Sequence, residues 1–121
     1  MKVVHIDIKD KYISLIEQGR KVTDIQEIRP KNRNFLTKSR NGIFLKDSNG
    51  ISIPKHYDAV MFHSESRTLL VKIDNVKISP ILTSEGKRAT YEYKGETINA
   101  ENIIFGLGTI YKKDNGGSFC F

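Results

Sequence analysis

The chain has 121 residues, with twenty Lys and Arg against fourteen Asp and Glu, a formal charge of +6 and a sequence pI near 9.5. That length suits one domain able to bury a core of its own. A lone cysteine, Cys120, excludes a disulfide framework within a monomer and fits a reducing cytoplasm. No run of about 18 apolar residues exists, which excludes a spanning helix, and the charged opening MKVVHIDIKDKY does not read as a signal peptide.

Taken in order, residues 3–8 alternate, with Val4, Ile6 and Ile8 on one side and His5 and Asp7 on the other, the period of a half-buried strand. A short helix is predicted over 11–18, with Asp10 as N-cap, Tyr12, Leu15 and Ile16 at helical spacing, and Gly19 just past its end. The stretch that follows, 19–40, holds seven basic residues against Asp24 and Glu27. Its surplus of five nearly equals the charge of the whole protein, a local footprint of the kind that attracts phosphate. A plain solvated loop, and cations complementing the helix C-terminus, are the structural alternatives for the same residues.

Within it, 22–28 alternates as a strand carrying polar groups inward, Pro30 ends that strand, and 32–41 reads as a loop. Strands at 43–45 and 51–53 flank the turn signal Asp47-Ser48-Asn49-Gly50. Two further strands, 57–63 and 68–78, are joined by the hairpin-length loop 64–67, with a bulge expected near Asn75. Residues 90–93 and 96–98 flank Lys94-Gly95 as a tight hairpin, Asn99 is placed to cap a helical turn over 100–103, and 105–111 is the closing strand. A frayed tail is expected at 113–121. Many short strands with one or two short helices imply an α+β fold, a small barrel of about five to seven strands or a strongly curved mixed sheet, with a cleft beside the first helix.

The three histidines (His5, His56, His63) have no ligand spacing and Cys120 stands apart, so no metal site and no cofactor are expected. Nucleophile-elbow and P-loop patterns are absent. Arg20, Arg29, Lys31, Arg33, Lys38 and Arg40 are candidate phosphate contacts, with Phe35 the favoured stacking surface because Asn32, Arg33, Asn34 and Lys38 surround it in sequence; Tyr12 and Tyr57 are lesser candidates. Lys21, Asp24 and Glu27 would shape the pocket floor, and a lysine beside a carboxylate can pair with it or, desolvated, act as a base.

The order of strand, Tyr-containing helix, Gly-x-Lys, acidic-polar strand and Arg-Pro, carried by Lys9, Tyr12, Ile16, Gly19, Lys21, Asp24, Glu27, Arg29 and Pro30, resembles the ASCH domain, a relative of the PUA-type RNA-binding barrels. YDAVMF at 57–62, LLVKIDNVKI at 69–78 and IIFGLGTI at 103–110 are similar to that family's barrel strands. The resemblance implies an ASCH/PUA-like domain over 1–112 that binds RNA or a nucleotide-like ligand, of phage or bacterial type and cytoplasmic, with a monomer as the default. It also implies a second reading, a hydrolase of modified nucleosides (amidohydrolase-like) or of RNA, with Lys21, Asp24 and Glu27 catalytic; apart from the resemblance, the basic loop leaves open a small protein that binds an acidic partner. The usual phrase is Gly-x-Lys-Thr-x-Glu-x-Arg; here Val22, Asp24 and Gln26 stand at its last three named positions, Glu27-Ile28-Arg29 supplies a second Glu-x-Arg, and no matching glutamate is found in the second half.

Overall fold

A computed structural model describes residues 1–114. The elements in order are β1 (Val3–Asp7), α1 (Asp10–Glu17), β2 (Thr23–Ile28), α2 (Arg33–Leu36), β3 (Ser39–Arg40), β4 (Ile43–Phe44), β5 (Ala59–His63), β6 (Thr68–Pro80), β7 (Thr90–Tyr93), β8 (Glu96–Asn99) and β9 (Glu101–Asp114). The fold is α+β and mostly sheet, with two short helices. Five strands form one mixed sheet in the order β1-β5-β6-β9-β2, and β3-β4 and β7-β8 are separate two-stranded ribbons. The sheet runs open from β1 to β2, so its hydrogen bonding does not close the barrel expected above.

The chain divides into two compact units, one of Met1–Asp24, His56–Asn75 and the described chain from Phe105, the other of Ile25–Lys55 and Val76–Ile104. In the first, β1 pairs parallel with β5, and β5 pairs antiparallel with β6 across the predicted 64–67 loop. Alternation places Val4 and Ile6 of β1 inward, while β5, flanked on both sides, buries Ala59, Val60 and Phe62. Ile13 and Ile16, three apart on α1, are also buried. Asp10 does not cap α1 as its sequence position suggests. Lys9 holds the N-cap position without a side-chain cap. The Asp10 carboxylate accepts instead from the hydroxyls of Ser64 and Ser66 in the β5–β6 loop. Arg67 joins the same corner, pairing with Glu17 and donating to Ser14 Oγ at 3.3 Å.

The bulge expected near Asn75 corresponds to a break in alternation, with Asp74 and Asn75 both exposed on β6. Their side chains lie over Gly106 and Gly108: a Cβ on Gly106 would stand 2.5 Å from Asn75 Oδ1, and one on Gly108 would strike Asp74. The two glycines thus serve close approach rather than a turn.

In the second unit Ile28, Leu36, Ile78, Ala100 and Ile103 are buried. Lys94 (φ 48°) and Gly95 (φ 79°) turn β7 into β8, both left-handed as a type I′ hairpin requires. Three expectations fail here. Residues 51–53 are not a strand, since Ser52 makes only an isolated bridge to Lys46. Residues 100–103 are not a helical turn, because the Ala100 carbonyl and N–H are taken by Ile81 and Ala89 and Glu101 opens β9. Residues 32–41 are not a plain loop, since they contain α2 and β3. Of the tail expected at 113–121, Lys113 and Asp114 belong to β9, and the remainder, Cys120 included, lies outside the described residues. Among the described residues no helix is long and apolar enough to cross a membrane.

Candidate nucleic-acid interface

The basic stretch begins where α1 ends, and the backbone there is specified by Gly19. With Gln18 as C-cap, the Gly19 N–H bonds to Ile16 O at 3.1 Å and the Arg20 N–H to Leu15 O at 2.9 Å, the paired bonds of a Schellman motif. Gly19 has φ 71°, a conformation that an L side chain disfavours. Arg20 emerges exposed, while Lys21 turns back. Its ammonium lies 3.8 Å from Asp24 Oδ1 and 5.6 Å from the Tyr12 ring centre. Asp24 is only 3% exposed, so the inward polar face expected for β2 is real at that position, with Ile25 turned outward.

Arg20, Lys21 and Asp24 belong to the first unit; Glu27, Arg29, Lys31, Arg33, Phe35, Lys38 and Arg40 belong to the second. Glu27 Oε1 pairs with the Arg29 guanidinium at 3.4 Å. Asn32 then organises the turn at Pro30: its Oδ1 accepts from the Arg29 N–H at 2.7 Å and its Nδ2 donates to the Glu27 carbonyl at 3.0 Å. This Asn32 clamp precedes α2, where Thr37 Oγ1 donates back to the Arg33 carbonyl at 2.8 Å.

Two arginines stand over aromatic rings. The Arg29 guanidinium carbon stands 4.0 Å from the Tyr91 ring centre and that of Arg33 3.7 Å from the Phe44 ring centre. Contacts at that distance restrain each guanidinium against a ring face, and an Arg29 N–H is turned toward Glu27. Phe35, 41% exposed on α2, lies in the same unit, as do the exposed Lys31, Lys38 and Arg40. Lys38 is anchored through its backbone: its N–H bonds to Ile53 O at 2.8 Å and its carbonyl accepts from Leu45 at 2.9 Å.

The segment that Lys38 leans on is itself tied to the core. The Asp47–Gly50 turn closes with the Asp47 N–H on Ile51 O, and Asp47 Oδ1 accepts from the N–H groups of Asn49 and Ile51, as the sequence predicts. Buried Glu101 then accepts from the Ser52 N–H at 3.0 Å and from its hydroxyl at 2.5 Å. Among the described residues no buried side-chain nitrogen or oxygen lacks a partner.

The charge is as unevenly placed as the sequence suggests. The second unit carries eleven Lys and Arg against six Asp and Glu, a surplus of five; the first carries nine against eight. Sequence reasoning missed Tyr91 and Phe44 as ring partners and Glu101 as the buried anchor, since each acts on a residue far from it along the chain. A lesser stacking candidate, Tyr57, is half-buried, and that burial pushes its hydroxyl above the ordinary tyrosine range. A hollow of about 320 Å³ in the first unit is lined by Ile8, Lys9, Asp10 and Glu65, and by none of the nominated residues. Among the described residues no group of three or more His, Cys, Asp or Glu is placed to hold a metal ion. Comparison of the chain with protein-family models, with curated proteins and with solved structures gives no match.

Proposed function

We propose that the protein is a nucleic-acid-binding module of ASCH/PUA type, whose second unit takes the phosphates and unpaired bases of single-stranded RNA or of a nucleotide-like ligand. The observation that carries this reading is the pair of arginines held over rings, Arg29 at Tyr91 and Arg33 at Phe44, within the unit that holds the charge surplus. A guanidinium already restrained against a ring loses less freedom when it forks onto a phosphate. Lys31, Lys38 and Arg40 add exposed charge in the same unit, and Phe35 adds an exposed ring for a base. The PUA-type barrel is part of the same proposal; what supports it is the mixed five-stranded sheet with α1 following its first strand.

The test is binding of single-stranded RNA by fluorescence anisotropy across salt. With about five phosphates neutralised, the counterion slope implies roughly a hundredfold loss of affinity between about 50 and 200 mM salt. A flat response removes nucleic acid from consideration.

A second reading rests on the first unit. The buried Asp24 carboxylate beside the Lys21 ammonium (3.8 Å) supports a hydrolase acting on modified nucleosides. Turnover of N-acylated cytidine by the wild type, lost in Lys21→Ala, would favour it; turnover that survives the substitution would dismiss that site.

A further inference from the structure

Three asparagines of this chain precede a glycine, Asn41, Asn49 and Asn115, and asparagine is among the thermolabile residues. The first two lie within the described residues, and each is followed by Gly-Ile, so the local sequence gives them nearly the same chemistry. Their turns differ. Asn41 (φ 52°) and Gly42 (φ 78°) form the two-residue loop between β3 and β4, both left-handed as a type I′ turn requires. Arg40 and Ile43 are the closing pair, and among the described residues no acceptor takes the Gly42 N–H. Both loop residues are exposed, and a Cβ built on Gly42 would meet nothing within 4 Å. The β3–β4 ribbon is short and separate from the five-stranded sheet, so its tip opens at little cost. The Asn49 turn is held. There the Gly50 N–H donates to the Asp47 carbonyl at 3.0 Å and the Asn49 N–H to Asp47 Oδ1 at 2.8 Å, while the Asn49 carbonyl accepts from Arg88 at 2.6 Å.

We propose that Asn41 is a site of self-modification, at which the chain loses a side-chain amide with age and gains a carboxylate. The Gly42 nitrogen gives up its proton and attacks Asn41 Cγ. The new C–N bond closes a cyclic imide, the Cγ–Nδ2 bond breaks, and the leaving amide takes a proton and departs as ammonia. Water from solvent then opens the imide. Addition at Cγ leaves an aspartyl residue; addition at the backbone carbonyl leaves an isoaspartyl one, whose main chain runs through Cβ. Neither step needs an oxidant or a reductant. Several features of this turn favour closure. The attacking nitrogen is engaged by no acceptor among the described residues, Gly42 has no side chain to limit the rotation that brings it to Cγ, and the Arg40 cation, adjacent in the chain, favours the anionic nitrogen. At Asn49 the corresponding nitrogen is bonded to Asp47, whose carboxylate also disfavours an anion beside it. The product lowers the formal charge of +6 by one, next to Arg40 and within the unit that holds the basic surplus. The chemistry does not depend on the nucleic-acid reading.

The experiment is incubation of the full chain near neutral pH in water enriched in heavy oxygen, followed by mass spectrometry of its tryptic peptides. Cleavage after Arg40, Lys46, Lys55 and Lys113 puts the three asparagines on separate peptides, 41–46, 47–55 and 114–121, so each is read by itself. Expected is heavy oxygen at Asn41, as a mixture of aspartyl and isoaspartyl forms, accumulating at least about tenfold faster than at Asn49, because the bonds that hold the Asn49 turn must open before its glycine can attack. In denaturant the two sites should convert at comparable rates, which assigns the difference to the fold. Asn41→Gln should abolish labelling of 41–46. Asp47→Ala, which removes the carboxylate that receives the Asn49 N–H, should speed conversion at Asn49 and leave that at Asn41 unchanged. Label entering 47–55 of the folded wild type as fast as 41–46, or 41–46 staying unlabelled over a period in which the denatured chain converts there, would overturn the proposal.

Discussion

Glu101 is the residue whose removal tests the architecture under the basic loop. It is 5% exposed and is the acceptor for both the N–H and the hydroxyl of Ser52, which lies 49 positions away. Ser52→Ala deletes the hydroxyl donor and leaves the backbone bond in place. A hydrogen bond to a charged acceptor contributes about 1.5–3 kcal/mol, so a loss of about 2 kcal/mol is expected. Glu101→Ala is more severe: it strands two buried donors at Ser52 and opens a void, for a loss of about 3–5 kcal/mol. For a chain of this size about 4 °C of melting midpoint corresponds to 1 kcal/mol. The expected shifts are therefore about 8 °C for Ser52→Ala and about 12–20 °C for Glu101→Ala, read by calorimetry. The double variant should fall short of the sum by at least about 1 kcal/mol, because the two residues share one interaction. The Lys38 amide, bonded to Ile53 beside Ser52, should exchange faster with deuterium in both variants. Shifts below about 2 °C in Ser52→Ala together with strict additivity would refute the claim that this contact anchors the loop.

Three further outcomes are expected. Gly95→Ala, forced into φ 79° at the β7–β8 turn, should cost about 1 kcal/mol, whereas alanine at the exposed Gln18 should be close to neutral; thermal melts separate the two. Asp10 is held below the ordinary carboxylate range chiefly by the hydroxyls of Ser64 and Ser66, so its contribution is present above the unfolded value near 3.9 and is lost as pH falls through the lower folded value; Asp10→Asn should flatten the acid limb of the stability profile. Phe44→Leu and Tyr91→Leu should each weaken RNA binding by a few-fold while lowering its salt slope little, because the charge stays and only the restraint on the arginine is lost; a slope reduced by a whole contact would mean that the rings do not position the cations.

What was legible in the sequence was local. The alternation of β1, the Gly19 helix stop, the Asp47–Gly50 turn and the Lys94-Gly95 hairpin are each specified by residues within a few positions of one another, and each is present. Errors arose where a distant partner decided. Asn99 looked like a cap, but β9 takes Glu101 because a buried partner, Ser52, awaits it. Asp10 also looked like a cap, but two serines of the β5–β6 loop claim its carboxylate. The candidate site divides in the same way: the cations were visible as composition, while the rings that orient two of them, at positions 44 and 91, were not.

That division bears on what the cations can do. Arg29 and Arg33 are restrained by an aromatic face and, for Arg29, by Glu27 as well; Lys31, Lys38 and Arg40 project as exposed side chains. Exposed lysines supply attraction that every phosphate chain feels alike, and salt screens it within about 8–10 Å. A planar fork restrained against a ring discriminates, because it accepts an anion from a limited set of directions. Selectivity among ligands should therefore follow the two ring-held arginines, and total affinity the lysines. Replacing Lys31 and Lys38 by alanine should lower affinity for all single strands in parallel, while Arg33→Lys, which keeps the charge and loses the fork, should compress the differences between them. If Arg33→Lys instead weakened every ligand by one common factor, the ring-held arginine would be acting as charge alone.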